Sequence, residues 1–200
     1  MITTIARRGK DLANVKRDLG EYRYKIFIEQ LGWELPAQDG MEQDQFDLDD
    51  TLYVIGIDDG EICGCARLLP TSSPYLLSEV FPHLVLPHLP PRSEQVWELS
   101  RFAVSPAGES GRAIVDVEET TRLMLAAAIA CAEQHGAERL ITVSPLGVER
   151  LLSRMGVHAY RAGQPQRCDG KPIFACWIEI SDQTKNALAL ASSPRQLELA

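Results

Sequence analysis

Apolar residues recur at helical spacing over residues 11–31, at Leu12, Val15, Leu19, Tyr22, Ile26 and Leu31, and predict a helix there. Gly20 lies inside this run as a candidate break. Residues 32–50 are polar and acidic, carry Gly32, Pro36 and Gly40, and read as a long loop. Loops of that length inside a compact domain are commonly functional. Strands are expected at 51–57 and 61–69, on either side of the hairpin turn Asp58-Asp59-Gly60. Residues 70–95 hold Pro70, Pro74, Pro82, Pro87, Pro90 and Pro91, which exclude one regular element but leave room for a short helix at 76–81. A strand follows at 96–104, then an amphipathic helix at 114–135 stopped by Gly136. The remainder reads as a strand at 139–143, a helix at 146–155 ending at Gly156, and strands at 157–161 and 173–180. This order predicts one α/β domain over residues 1–180, a three-layer sandwich around a mixed sheet, with a polar tail at 181–200.

Composition narrows the function. Of 200 residues, 45% are apolar, enough for a sizeable core, so disorder is excluded. The net charge of −8 argues against a nucleic-acid binder. No run approaches the roughly 18 apolar residues of a membrane helix, so no membrane insertion is expected. The N-terminus lacks the apolar stretch of a signal peptide, which points to the cytoplasm. The five cysteines (Cys63, Cys65, Cys131, Cys168, Cys176) are odd in number and contain no CxxC pair. They read as free thiols rather than zinc ligands. His83, His88, His135 and His158 have no metal-ligand spacing either, and no metal is expected. There is no GxGxxG after a strand, no P-loop and no GxSxG elbow.

Five constellations carry candidate chemistry. Arg23 and Phe27 are one helical turn apart, with Trp33 beyond. An arginine beside aromatic rings grips a carboxylate while the rings cover an apolar or sulfonium group. A surface arginine over core aromatics has the same spacing. Glu42, Asp44, Asp47, Asp49 and Asp50 form an acidic run suited to a cation, or to solvation alone. Arg67 sits in an apolar strand and needs a partner, for which Asp44, Asp47 and Glu98 are candidates. In Trp97-Glu98-Leu99-Ser100-Arg101-Phe102, strict alternation sends Arg101 to the face opposite Glu98. A glutamate desolvated beside tryptophan is expected to have a raised pKa and to suit a general base; pairing with Arg67 or Arg101 is the structural alternative. Gly108–Arg112 precedes a helix, where amides can cradle a phosphate.

Taken together and in order, these segments resemble the acyl-homoserine-lactone synthase, or autoinducer synthase, family over about residues 20–160. Arg23, Phe27 and Trp33 fit its first motif. Asp44, Phe46 and Asp47 fit its acidic motif, and Arg67 with Leu68, Pro70 and Thr71 fits the third. Phe81 and Glu98–Arg101 complete the set, and Glu149-Arg150 with Met155-Gly156 also suits the family's C-terminal half.

The resemblance implies a fold like the GCN5-related N-acetyltransferases, with a mostly antiparallel sheet. It implies transfer of an acyl group, from acyl carrier protein or sometimes coenzyme A, to the amine of S-adenosylmethionine. Lactonisation then gives an acyl-homoserine lactone, a quorum-sensing signal, and 5′-methylthioadenosine. No cofactor is implied, S-adenosylmethionine being a substrate. On this reading Arg23, Phe27, Trp33, Asp44, Asp47, Arg67 and Phe81 serve S-adenosylmethionine, with Arg101 joining the ion-pair network. Glu98 is the base, and a backbone amide along Ser100–Phe102 holds the oxyanion. Leu99, Met124, Leu125, Leu146, Leu152 and Met155 are expected to line the acyl pocket, with Thr142 or Ser144 meeting a 3-oxo group. Arg150 and Arg154, one turn apart, with Arg161, Arg167 and Lys171 nearby, are expected to dock the acidic carrier protein. An ordinary acetyltransferase of the same fold and an inactive acyl-binding relative are the competing readings.

Overall fold

The computed structural model describes residues 2–13, 15–105 and 117–190, and the backbone of 198–199. In chain order the elements begin with β1 (Thr3–Arg8), α1 (Lys16–Arg23), a π-helical segment (Tyr24–Gln30), β2 (Ala37–Gln38) and β3 (Met41–Glu42). Next come β4 (Leu52–Asp58), β5 (Glu61–Pro70), α2 (Leu76–Val80), β6 (Val96–Val104) and α3 (Val117–Gln134). The rest are β7 (Arg139–Pro145), α4 (Gly147–Arg154), β8 (Ala159–Arg161), β9 (Gln166–Cys168), β10 (Lys171–Glu179), α5 (Asp182–Ala187) and β11 (Glu198–Leu199). The chain forms two compact units, one of Met1–Arg67, Arg101–Ala127 and Gln196–Ala200, the other of Leu68–Ser100 and Ala128–Arg195. Strands β5 and β6 each pass from one unit into the other.

In the first unit β1 lies between β4, antiparallel, and β11, parallel. The sequence pattern does not announce β1, because only Ala6 of its six residues is buried. Strand β4 turns into β5 through Asp59 and Gly60, both at positive φ (52° and 86°). That conformation matches the twist of a tight hairpin. One face of the strands carries Tyr53, Ile55, Cys65 and Ala103, packed with Leu12, Leu19, Tyr22, Ile26 and Phe27 of the helical region. On the opposite face, a Cβ at Gly56 or Gly64 would come within 2.7 or 2.9 Å of the Met124 side chain of α3. Helices therefore cover both faces of this sheet, as three layers require.

The predicted 11–31 helix is present but changes type. Gly20 does not break it; a Cβ there would meet Met41 at 3.0 Å, so the glycine lets the 32–50 segment approach the helix. The helix widens to π geometry after Arg23. Leu31, expected on the buried face, is 44% exposed.

In the second unit β7 runs parallel to β6, and β10 is antiparallel to β7, β8 and β9. Leu140, Ile141, Phe174 and Ile178 form part of its core. The segment expected to be a polar tail from 181 begins instead with α5, capped by the Ser181 hydroxyl and seated by buried Thr184 and Leu188. Among the described residues, no helix is long and apolar enough to cross a membrane.

The β5–β6 ladder holds one irregularity. Thr71 N donates to Val96 O at one end and Ser105 N to Cys63 O at the other, so β6 contains one residue more than β5 between them. Arg101 within that stretch has φ 50°. This is a β-bulge. Strict alternation along the strand, on which the sequence expectation for Arg101 rested, therefore does not hold through this stretch.

Candidate active site

Arg23 closes α1, Glu42 ends β3, and Asp44 and Asp47 occupy the turn that follows, while Arg67 and Arg101 project from β5 and β6. The turn braces itself: Asp44 N donates to Asp47 Oδ2, Phe46 N to Asp44 Oδ1, and the Thr51 hydroxyl to Phe46 O. Its two carboxylates are thereby fixed toward the arginines.

The six charged side chains form a closed ring of alternating sign. Arg67 donates to Asp44 at 2.5 and 3.1 Å. Asp44 accepts from Arg101 at 2.8 Å, and Arg101 reaches Glu42 at 2.8 Å. Glu42 accepts from Arg23 Nε at 2.6 Å. Arg23 grips both oxygens of Asp47 at 2.8 and 2.9 Å, and Asp47 accepts from Arg67 at 3.0 Å. Arg67 itself is 0% exposed. Three positive and three negative groups leave the ring formally neutral, which makes its burial tolerable.

Aromatic rings flank it. The guanidinium of Arg101 lies 5.7 Å from the Phe27 ring and that of Arg67 5.6 Å from the Phe46 ring. Phe27 and the partly exposed Trp33 are 6.4 Å apart and tilted, and Trp33 N bonds Phe27 O. π-Helical turns often mark functional sites, and this one carries Phe27.

Burial alone would raise the Asp47 carboxyl, but the hydrogen bonds and charge of Arg23, then the charge of Arg67, hold it well below the usual carboxylate range. Tyr53 donates to the same Asp47 oxygen at 2.6 Å. Burial first, then the Asp47 charge, pushes the Tyr53 phenol up and keeps it a donor. A depressed native carboxyl adds stability that is complete above about pH 4 and is lost as pH falls toward its folded value. Asp47→Asn is expected to cost about 3–5 kcal/mol at pH 7. At about 2–4 °C per kcal/mol, Tm falls on the order of 10 °C, and the drop in Tm between pH 5 and pH 3 becomes shallower than in the wild type. Thermal melts across that range check both.

Arg23, Asp44, Asp47, Arg67 and Arg101 are thus brought together, with Phe27 and Trp33 beside them. Glu42 is the member that was not singled out from the acidic run; it bridges Arg23 and Arg101. Arg67 takes its partners from Asp44 and Asp47.

The second unit holds other expected residues. Glu98 is 0% exposed. Its Oε1 accepts from Leu77 N at 2.7 Å and its Oε2 from Leu76 N at 3.1 Å. Phe81 ends α2, with its ring 6.3 Å from that of His83. Leu99, Leu152 and Met155 are buried and Leu146 is half-buried. Thr142 and Ser144 share one face of β7, and their hydroxyls bond each other at 3.2 Å. In the first unit Met124 and Leu125 are buried, and Met124 fills the space above Gly56 and Gly64. Ser100 is buried and Phe102 half-buried, on either side of the bulge. Arg150 and Arg154 are exposed on α4, whereas Arg161 is engaged by Glu149 through two bonds of 2.7 Å. The expected phosphate loop Gly108–Arg112 lies outside the described residues.

Comparison with known proteins converges on one family. The autoinducer synthase model matches residues 10–188. An acyl-homoserine-lactone synthase of Ralstonia solanacearum is 46% identical over 200 residues, covering 96% of each chain. The crystal structure of TofI, in a ternary complex with an inhibitor and MTA, matches with TM-score 0.83 and 51% identity over 94% of this chain and 96% of TofI. An acyl-CoA N-acyltransferase from Pseudomonas aeruginosa, 17% identical, shares the fold at TM-score 0.55 over 88% of this chain and 99% of its own. An α/β fold of the acyltransferase kind, a neutral ring of six buried charges beside the aromatic rings of Phe27, Trp33 and Phe46, and a family match across nearly the whole chain agree: the chain belongs to the autoinducer synthase family.

Proposed function

We propose that this protein acylates the amine of S-adenosylmethionine and lactonises the product, giving an acyl-homoserine lactone and 5′-methylthioadenosine. The observation that carries this reading is the charge ring flanked by Phe27 and Trp33. Five of its six charged residues, Arg23, Asp44, Asp47, Arg67 and Arg101, stand at the positions that resemble the family's motifs. The solved TofI, half identical to this chain, holds MTA.

On this reading Phe27 and Trp33 cover the sulfonium and adenosyl portion, and the ring fixes the arginines that orient the methionine carboxylate; Phe81 is assigned to S-adenosylmethionine by the resemblance alone. An α-amine titrates near 7.7–8.0, so about a third is free base at pH 7.5. That fraction attacks the acyl thioester carbonyl, and the thiol leaves. A backbone amide of the Ser100–Phe102 stretch, where Arg101 has φ 50°, is assigned to the oxyanion. The methionine carboxylate then attacks its own γ-carbon, and the sulfonium departs as neutral methylthioadenosine. This step needs chiefly a folded, in-line carboxylate.

In the second unit Leu99, Leu146, Leu152 and Met155 are assigned to the acyl chain, with Thr142 or Ser144 to a 3-oxo group. Acyl carrier protein is the proposed donor and Arg150 with Arg154 its docking point. Purified protein with S-adenosylmethionine and acyl carrier protein charged with varied chains is expected to release lactone and methylthioadenosine in equal amounts, read by mass spectrometry. An N-acylated amine without methylthioadenosine would instead mark an ordinary acyltransferase.

A further inference from the structure

Glu98 was expected to act as the general base, and its carboxylate stands at the start of α2. Its carboxylate is fully buried, and each oxygen receives a backbone N–H, from Leu76 and Leu77. Those are the first two amides of α2. Initial helix amides have no partner within the helix, and a helix of five residues is too short to persist unaided. Leu77 in turn accepts the Phe81 amide on its carbonyl at 3.1 Å. A continuous path runs from Glu98 through Leu77 to Phe81.

We infer that Glu98 is a positioning residue that anchors the start of α2 and so sets Phe81, rather than the acceptor of the substrate amine's proton. The inference rests on the reaction proposed above. An incoming ammonium would have to compete with two amides for this carboxylate, whereas the amine of S-adenosylmethionine already supplies free base near neutral pH. The rise of kcat/KM with pH then belongs to the substrate.

Two variants test this. Glu98→Gln keeps the shape but presents an NH2 to one of the two amides. Leu76→Pro keeps the carboxylate and removes one donor. Proline is tolerated at the first helical position, and Tyr75 is already extended (φ −145°, ψ 164°), as a residue before proline must be. Amide hydrogen exchange at Leu77 is expected to quicken about tenfold or more in both, and Leu76→Pro is expected to lose about tenfold in kcat/KM for S-adenosylmethionine although Glu98 is intact. Residual activity of Glu98→Gln is expected to rise with pH along the wild-type curve. Wild-type turnover in Leu76→Pro, unchanged exchange in Glu98→Gln, or loss of the pH rise in Glu98→Gln would each overturn the anchoring role. Hydrogen exchange reads the anchor whatever the substrate proves to be. Absence of methylthioadenosine from the wild type would instead remove the reaction.

Discussion

Arg101→Lys is expected to lower kcat/KM for S-adenosylmethionine by about 100-fold or more. Arg101 joins two carboxylates at once, Glu42 through Nε and Nη and Asp44 through Nη. A planar fork can do this; the single ammonium of lysine cannot reproduce both directions. Two charge-assisted hydrogen bonds, at about 1.5–3 kcal/mol each, are placed at risk. Every 1.4 kcal/mol that reaches the transition state is a factor of ten. The ring also opens at this point, which frees Glu42 and Asp44 to draw on Arg23 and Arg67. On the proposed reading these are the guanidiniums that orient the substrate, and they would then turn away from it. Arg101 moreover holds φ 50°, a conformation costing a non-glycine residue on the order of 1–3 kcal/mol. Its side-chain bonds are well placed to sustain that strain and thereby the bulge. Steady-state kinetics on protein shown folded by its melting curve check the expectation. A loss below tenfold would mean that the ring is structural and that the substrate meets other groups.

The ring shows how far the sequence could be read. Arg67 in an apolar strand demanded a partner, and only a short list of acids lay within plausible reach, so Asp44 and Asp47 were legible. Glu42 was not, because spacing in an acidic run does not distinguish a solvated carboxylate from a buried one. Charge balance carries the missing signal. Three arginines gathered on two aspartates leave one positive charge unmatched in a dry interior, and a third anion is required. The hairpin at 59–60, strand 96–104 and the Gly136 and Gly156 stops were legible because turn chemistry and apolar runs act locally. Strand β1 was hidden because neighbours, not its own apolar content, hold it in the sheet. The bulge was hidden for a related reason: one additional residue leaves the composition of a strand unchanged while altering where its side chains point. Glu98 was recognised as buried, but Leu76 N and Leu77 N, which its carboxylate accepts from, are backbone amides of a helix distant in sequence, which no pattern of side chains records.

Reversing Arg150 and Arg154 to glutamate is expected to raise KM for carrier-bound acyl substrate about tenfold or more, while KM for S-adenosylmethionine stays as it was. The protein's net charge is −8, so an acidic carrier approaches against the overall field unless a local basic patch steers it. Arg150 and Arg154 lie one turn apart on α4 and are exposed. Arg150 and Arg154 are the two cations of α4, whereas Arg161 on β8 is held by Glu149. Steering by exposed charges acts over about 8–10 Å at physiological salt and weakens as salt rises. Wild-type KM for the carrier substrate should therefore climb between low and high salt, and the doubly reversed protein should lose most of that dependence. The same assay with acyl-coenzyme A separates the donors. A selective loss with the carrier protein supports protein docking on α4, and an equal loss with both donors points to recognition of the shared phosphopantetheine. An unchanged KM with the carrier protein places the docking surface elsewhere.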